Sequence, residues 1–170
     1  MRLYIIRHAI AIPHGIPGVS DDDRPLAEEG IRRMRKAADG LLSLGYVPEH
    51  VLSSPLLRAR QTAEIILNAF GKDVEMTIAQ YLAPSGSRRD LYREIARYSK
   101  RIGSLMLVGH QPSLGAIAGE IACGSPEHWI DLKKGGACAL EVNSVRGVPK
   151  GRILFLLTPS ILCKINTKKR

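Results

Sequence analysis

Three apolar runs in this 170-residue chain stop at residues that can handle a phosphoryl group. The first, Leu3 to Ile6, ends at Arg7-His8. The second, Val51-Leu52, ends at Ser53-Ser54 and is followed by Pro55-Leu56-Leu57-Arg58-Ala59-Arg60-Gln61-Thr62. The third, Leu105 to Val108, ends at Gly109-His110-Gln111-Pro112-Ser113. In open α/β sheets ligands sit outside the carboxyl ends of the strands, so two arginines and two histidines delivered there build one cationic pocket. Arginine's planar fork matches two phosphate oxygens at once, which lysine cannot do. Helices starting at Ser54-Pro55 and Gln111-Pro112, each with proline in the first turn, add unpaired N–H groups and a partial positive charge. Before any comparison, the constellation reads as a phosphate cradle.

A histidine among arginines then needs a task. Nearby cations disfavour the imidazolium, so His8 is expected to stay neutral and nucleophilic near pH 7. A neutral imidazole attacks phosphorus in line while guanidiniums neutralise charge on the equatorial oxygens. His110 donates a hydrogen bond to the same oxygens. A phosphohistidine forms on His8, and water hydrolyses it in a second step.

The elements that must position these residues are legible as alternating strands and helices, the pattern of a single α/β domain over 1–160. Leu3 to Ile6 reads as a strand buried on both faces. Ile31, Met34, Ala38 and Leu41 recur at helical spacing within Leu26 to Leu44, and Gly45 suits a left-handed cap. A second helix is predicted from Pro55 to Phe70, closed by Gly71. Val74 to Ile78 reads as extended, and Leu91, Ile95 and Tyr98 mark a third helix. A fourth, opened by Pro112, carries Leu114, Ile117, Ala118 and Ile121 on its inner face. Ala137 to Val142 and Ile153 to Leu157 read as an antiparallel hairpin, with Gly135-Gly136 as a tight entry. The expected fold is thus a three-layer α/β/α sandwich with a mostly parallel, mixed sheet.

Composition narrows the class. With 45% apolar residues, a chain of this length buries about two-thirds of its unfolded surface and needs no disulfide or metal to fold. Three cysteines, Cys123, Cys138 and Cys163, lack paired spacing, so reduced thiols in a cytoplasmic setting are expected. The apolar run at the start is cut by Arg7, too early for a signal peptide, and no run approaches the roughly 20 residues of a membrane span. The net charge of +9 suits anionic partners or solubility alone. Part of it sits in a basic tail over 161–170. A single tryptophan and few aromatics argue against stacking on nucleic acid. No His, Cys or Asp spacing suggests a metal or another cofactor, and a monomer is the favoured state.

The three motifs together, in this order, resemble those of the histidine phosphatase superfamily, also called phosphoglycerate mutase-like. Arg24-Pro25-Leu26, Leu82-Ala83-Pro84 and the short chain are similar to its SixA-type phosphohistidine phosphatase branch. The resemblance spans roughly residues 1 to 160. It implies that Arg7, Arg58 and His110 bind phosphate and that His8 is the covalent nucleophile. It also implies a phosphohistidine-bearing protein as partner and a metal-independent hydrolysis.

The departures from that pattern carry information. The usual glycine after the first histidine is Ala9. The threonine common after Arg-Pro-Leu is Ala27, which removes a helix cap. The proton-donating glutamate of mutases and sugar phosphatases has no counterpart, since no carboxylate lies between Gln80 and Arg89. A basic alkoxide leaving group wants such an acid; a phosphorylated imidazole can leave as a neutral ring, so its absence favours P–N cleavage. Asp21, Asp22 and Asp23 form either a solvated loop with a capping residue or a lid that supplies a proton. His14, His50 and His128 are expected on the surface or in loops, and Lys133 or Lys134 is a candidate for the pocket rim. The pocket should be shallow and open. The alternatives are a phosphatase or mutase of small phosphate esters and a non-catalytic phosphate- or polyanion-binding module.

Overall fold

Alternation within the first apolar run places both faces of the sheet in contact with helices. A computed structural model describes residues 1–71 and 74–165. In β1 (Arg2–Arg7), Leu3 and Ile5 enter one hydrophobic cluster while Tyr4 and Ile6 enter another. The first cluster is completed by α3 (Arg88–Tyr98) and α4 (Ser113–Cys123) through Leu91, Ile95, Leu114 and Ile117. The second is completed by α1 (Glu28–Ser43), α2 (Leu57–Phe70) and the helical turn α5 (Pro159–Leu162) through Met34, Leu41, Ile66 and Leu162. The three layers are those expected.

The remaining strands are β2 (His50–Ser53), β3 (Glu75–Ile78), β4 (Ser104–Gly109), β5 (Ala137–Ser144) and β6 (Lys150–Leu157). The sheet order is β3-β2-β4-β1-β5-β6. The first four strands are parallel, and the hairpin β5–β6 joins β1 antiparallel. Both hairpin strands are longer than the apolar runs alone indicate, which shortens their connection to 145–149.

This topology dictates where a ligand binds. β1 leads to α1 on one face of the sheet, whereas its neighbour β4 leads to α4 on the other, so a crevice opens between their carboxyl ends. The register pairs Arg7 with Gly109, and the His8 N–H donates to the Gly109 carbonyl at 2.9 Å. His8 and His110 therefore leave adjacent strands in step. On the other side of β4, Ser53 pairs with Val108 and delivers Ser54 to the same edge.

The helix starts differ from the expectation. α2 begins at Leu57, so Pro55 lies ahead of the helix. The chain stays extended because the Ser54 N–H is still held by the Val108 carbonyl at 2.9 Å. In α4, Pro112 is the N-cap, preceded by a cis Gln111–Pro112 bond. The leading N–H groups are already engaged: Leu57 with the Asp22 carbonyl, Leu114 with the His110 carbonyl, Gly115 with Gln111 Oε1. The anion site is thus made by side chains more than by helix ends.

α1 closes as expected. Tyr46 N–H bonds the Leu41 carbonyl, Gly45 N–H bonds that of Leu42, and Gly45 takes φ +74°, a Schellman ending. Its start is weaker, because Ala27 has N-cap dihedrals (φ −71°, ψ 155°) and no side chain to cap with. Ala27→Ser should therefore stabilise the protein by about 1 kcal/mol, read as a higher urea midpoint at unchanged m-value; an unchanged midpoint would show that the site is already satisfied. The packed chain continues past residue 160, with Leu162 buried and the Cys163 thiol donating to the Arg33 carbonyl at 3.3 Å. The basic end Lys168 to Arg170 lies outside the described residues.

Candidate active site

His8, Arg58 and His110 are buried, 7%, 4% and 4% exposed, at the base of a cleft of about 490 Å³ that Arg7 also lines. The loop following β1 supplies Ala11, Ile12, Pro13 and His14 to its wall. The imidazole rings of His8 and His110 lie 5.0 Å apart, centroid to centroid, at 53°.

Each side chain is held by its far side. His8 Nδ1 is 2.7 Å from the Ala9 carbonyl, which can only accept, so Nδ1 carries the proton and Nε2 is the bare nitrogen. The Ala9 N–H donates to Thr62 Oγ1 (3.0 Å), and that hydroxyl donates to the Arg58 carbonyl (2.6 Å). The turn bearing His8 is thereby tied to the helix bearing Arg58. Alanine is tolerated at position 9 because the left-handed residue of this corner is Gly135, at φ +77°, whose N–H reaches the carbonyls of Arg7 (3.0 Å) and His8 (3.1 Å).

Arg7 donates through Nη1 to the Leu132 carbonyl at 2.7 Å. Arg58 donates through Nη1 to the Asp21 carbonyl (2.6 Å) and through Nη2 to Asp21 Oδ2 (3.1 Å). Ser54 Oγ lies 2.8 Å from His110 Nε2; with the hydroxyl as donor, the neutral ring keeps its proton on Nδ1. Among the described residues, the buried side-chain polar atoms without a partner are Arg7 Nε, Arg58 Nε and His110 Nδ1. Buried donors are ordinarily satisfied. Three unsatisfied ones around a single cleft make a seat for an anion rich in acceptors.

Burial is the main reason both histidines are neutral, and the neighbouring cations are secondary. Desolvation brings His8 down to about 3 against the opposing Ala9 hydrogen bond, with His110, Arg58 and Arg7 adding to the fall. His110 falls to about 4, again by burial first and then Arg58. The expectation of a neutral His8 holds, but its leading cause is different.

Of the three acidic residues considered for a lid or proton donor, only Asp21 reaches the site. Partial burial raises its carboxyl, but the Arg24 hydrogen bond and the charges of Arg58 and Arg24 outweigh this and hold it below the ordinary value. It is an ionised anchor for arginines, unsuited to giving up a proton at neutral pH. Asp22 contributes its carbonyl to Leu57, and Asp23 pairs with Ser20 Oγ at 2.7 Å. No Asp or Glu lines the cleft among the described residues. Nor does any group of three or more His, Cys, Asp or Glu there sit close enough together to hold a metal ion.

Residues 3–82 match the model of the histidine phosphatase superfamily (branch 1). An uncharacterized protein of Picosynechococcus is 41% identical over 161 residues, covering 93% of this chain and 96% of that protein. The chain belongs to the histidine phosphatase superfamily. Membership places it among phosphatases, and it is similar to phosphohistidine phosphatase SixA of Escherichia coli, 28% identical over 125 residues, 73% of this chain and 76% of that protein. Among solved structures, the protein histidine phosphatase SixA complexed with tungstate superposes with a TM-score of 0.82 at 24% identity, covering 95% and 99% of the two chains. The phosphoserine phosphatase mutant of Entamoeba histolytica superposes less well, at 0.66 and 15% identity, covering 93% and 97%. These likenesses establish the phosphoglycerate mutase-like fold. No helix among the described residues is long and apolar enough to cross a membrane.

Several residues in and around the cleft carry no role in the sequence pattern alone. Arg24, named in the sequence only as part of Arg24-Pro25-Leu26, is 7% exposed and lines the cleft, donating to Asp21 Oδ1 and the Ile12 carbonyl. Thr62 and Ser54 act as braces whose partners are 53 and 56 residues away. Lys134 is at the rim, as one of the two lysines considered, whereas Lys133 turns to Asp131. His14 also lines the cleft, while His50 lies in β2 against Thr77 and Tyr98. His128 is exposed.

Proposed function

We propose that this protein is a phosphohistidine phosphatase acting on a histidine of a partner protein, through a phosphorylated His8. The observation that carries this reading is a nucleophilic imidazole ringed by unsatisfied donors in a cleft with no carboxylate on its walls. Arg7, Arg58 and His110 bind the phosphoryl oxygens, using Nε, Nε and Nδ1. His8 Nε2 attacks phosphorus in line. The P–N bond of the substrate breaks, and its electron pair stays on the substrate ring, which leaves neutral once its other nitrogen carries a proton. The equatorial charge faces donors already in place, which is where electrostatic catalysis gains most. Phospho-His8 keeps its Nδ1–H on the Ala9 carbonyl, so cleavage by water returns the same neutral tautomer.

An alkyl phosphate in this cleft would have to expel an alkoxide without an adjacent acid, a loss of roughly 10² to 10⁴ in rate. The test is a panel that sets a phosphohistidine protein against sugar and nucleotide phosphates, with and without chelator. Phosphohistidine should be preferred at least about 100-fold, with no loss on chelation. Faster turnover of the esters would overturn the assignment in favour of a small-ester phosphatase.

A further inference from the structure

One proton has no source on the cleft floor: the one that the departing imidazole must carry on its far nitrogen. In a phosphate ester the basic leaving atom is bonded to phosphorus and sits deep. In a phosphorylated imidazole the second nitrogen lies across the ring, away from phosphorus and toward the mouth. An acid suited to this leaving group therefore belongs on the rim.

His14 stands there. It lies in the loop after β1, lines the same cleft as His8, Arg58 and His110, and its side chain is 75% exposed. Its Nδ1 is 3.0 Å from Asp21 Oδ1. Asp21 is fixed in turn, accepting from Arg24 Nε at 2.7 Å and Arg58 Nη2 at 3.1 Å, while its carbonyl accepts from Arg58 Nη1 at 2.6 Å. A carboxylate behind an imidazole sets its tautomer and orientation and leaves Nε2 as the working nitrogen. One carboxylate thus links the rim histidine to a phosphate-binding arginine.

Resting on the phosphohistidine reading, we propose that His14 is the general acid and base of the reaction, with Asp21 as its positioning residue. In the first step His8 Nε2 bonds phosphorus, the substrate P–N bond breaks, and His14 gives its proton to the far ring nitrogen. In the second, water bonds phosphorus, the His8 P–N bond breaks, and the water's proton returns to His14. The cycle closes with one water consumed and inorganic phosphate released. As an ordinary surface ion pair, His14–Asp21 would contribute little to stability and nothing to leaving-group chemistry.

Two small probes separate these cases. Phosphoimidazole needs a proton on its far nitrogen to leave, whereas N-phosphoryl-N′-methylimidazolium carries a methyl group there and leaves neutral without one. In single-turnover phosphorylation of His8, the step that the leaving group affects, His14→Gln should slow phosphoimidazole by roughly 10² to 10⁴ while the methylated probe phosphorylates His8 at nearly the wild-type rate. Asp21→Asn should lower the ratio of the two rates as well, a readout that loosening Arg58 would not move because both probes carry the same phosphoryl group. Equal effects on both probes, or none on phosphoimidazole, would overturn the role of His14 while leaving phospho-His8 standing. A wild-type protein that turns over neither probe and forms no phosphoenzyme would overturn both readings.

Discussion

His8→Asn should reduce turnover by about 10⁴-fold or more, to the background that binding and oxyanion donors alone sustain. Asparagine suits the test because its amide can still donate to the Ala9 carbonyl where Nδ1–H does, so the turn above Thr62 keeps its place. What it lacks is a nitrogen lone pair aimed at phosphorus. Arg7, Arg58 and His110 remain, so the variant should bind tungstate about as well as the wild type while forming no acid-labile phosphoenzyme. Rapid quench of the wild type with radiolabelled phosphohistidine protein should trap one phosphate per chain, stable to base and lost in acid. Retained turnover in His8→Asn, or a trapped phosphate on another residue, would remove His8 from the nucleophile's role. A simultaneous loss of tungstate binding would mean that the side chain shapes the site beyond its chemistry.

How much of the fold and the site the sequence reveals follows from how local each signal is. His8 and His110 were legible because a strand with both faces buried has an abrupt end, and parallel strands of similar length end together. The register from Arg7 and Gly109 outward does the rest. The helix starts were misplaced because proline marks where a helix is permitted to begin, while the strand bond from Ser54 to Val108 decides where it does. Asp21 looked like one of three solvated aspartates, since its partner Arg58 is 37 residues away and nothing in the local pattern selects the first of the run. His14 gives no signal for a related reason: a loop of 18 residues between β1 and Leu26 has no periodicity from which a direction can be inferred. The chemistry of the floor was therefore legible from strand ends, and the chemistry of the rim was not.

Acid should cost this protein stability in a way that two residues dominate. His8 and His110 are buried neutral, with folded values of about 3 and about 4, against about 6.5 in the unfolded chain. The unfolded state therefore binds protons first. The contribution of neutral burial is fully present above pH 6.5 and is lost as pH falls toward 4 and then 3. By pH 5 each histidine has surrendered about 2 kcal/mol relative to pH 8, together about 4 kcal/mol. That is a large share of a typical domain's 5–15 kcal/mol. Carboxylates also titrate in this range, so the measurement is a comparison: urea unfolding at pH 8 and pH 5 for the wild type and for His8→Asn/His110→Asn. The double variant should lose about 4 kcal/mol less over the same interval. Phosphate should narrow the gap in the wild type, because a bound dianion offers the protonated rings a partner that the empty cradle does not. If both proteins lose the same stability between the two pH values, the imidazoles are not held neutral by burial, and the lone pair on His8 Nε2 that drives the proposed chemistry is not assured by the fold.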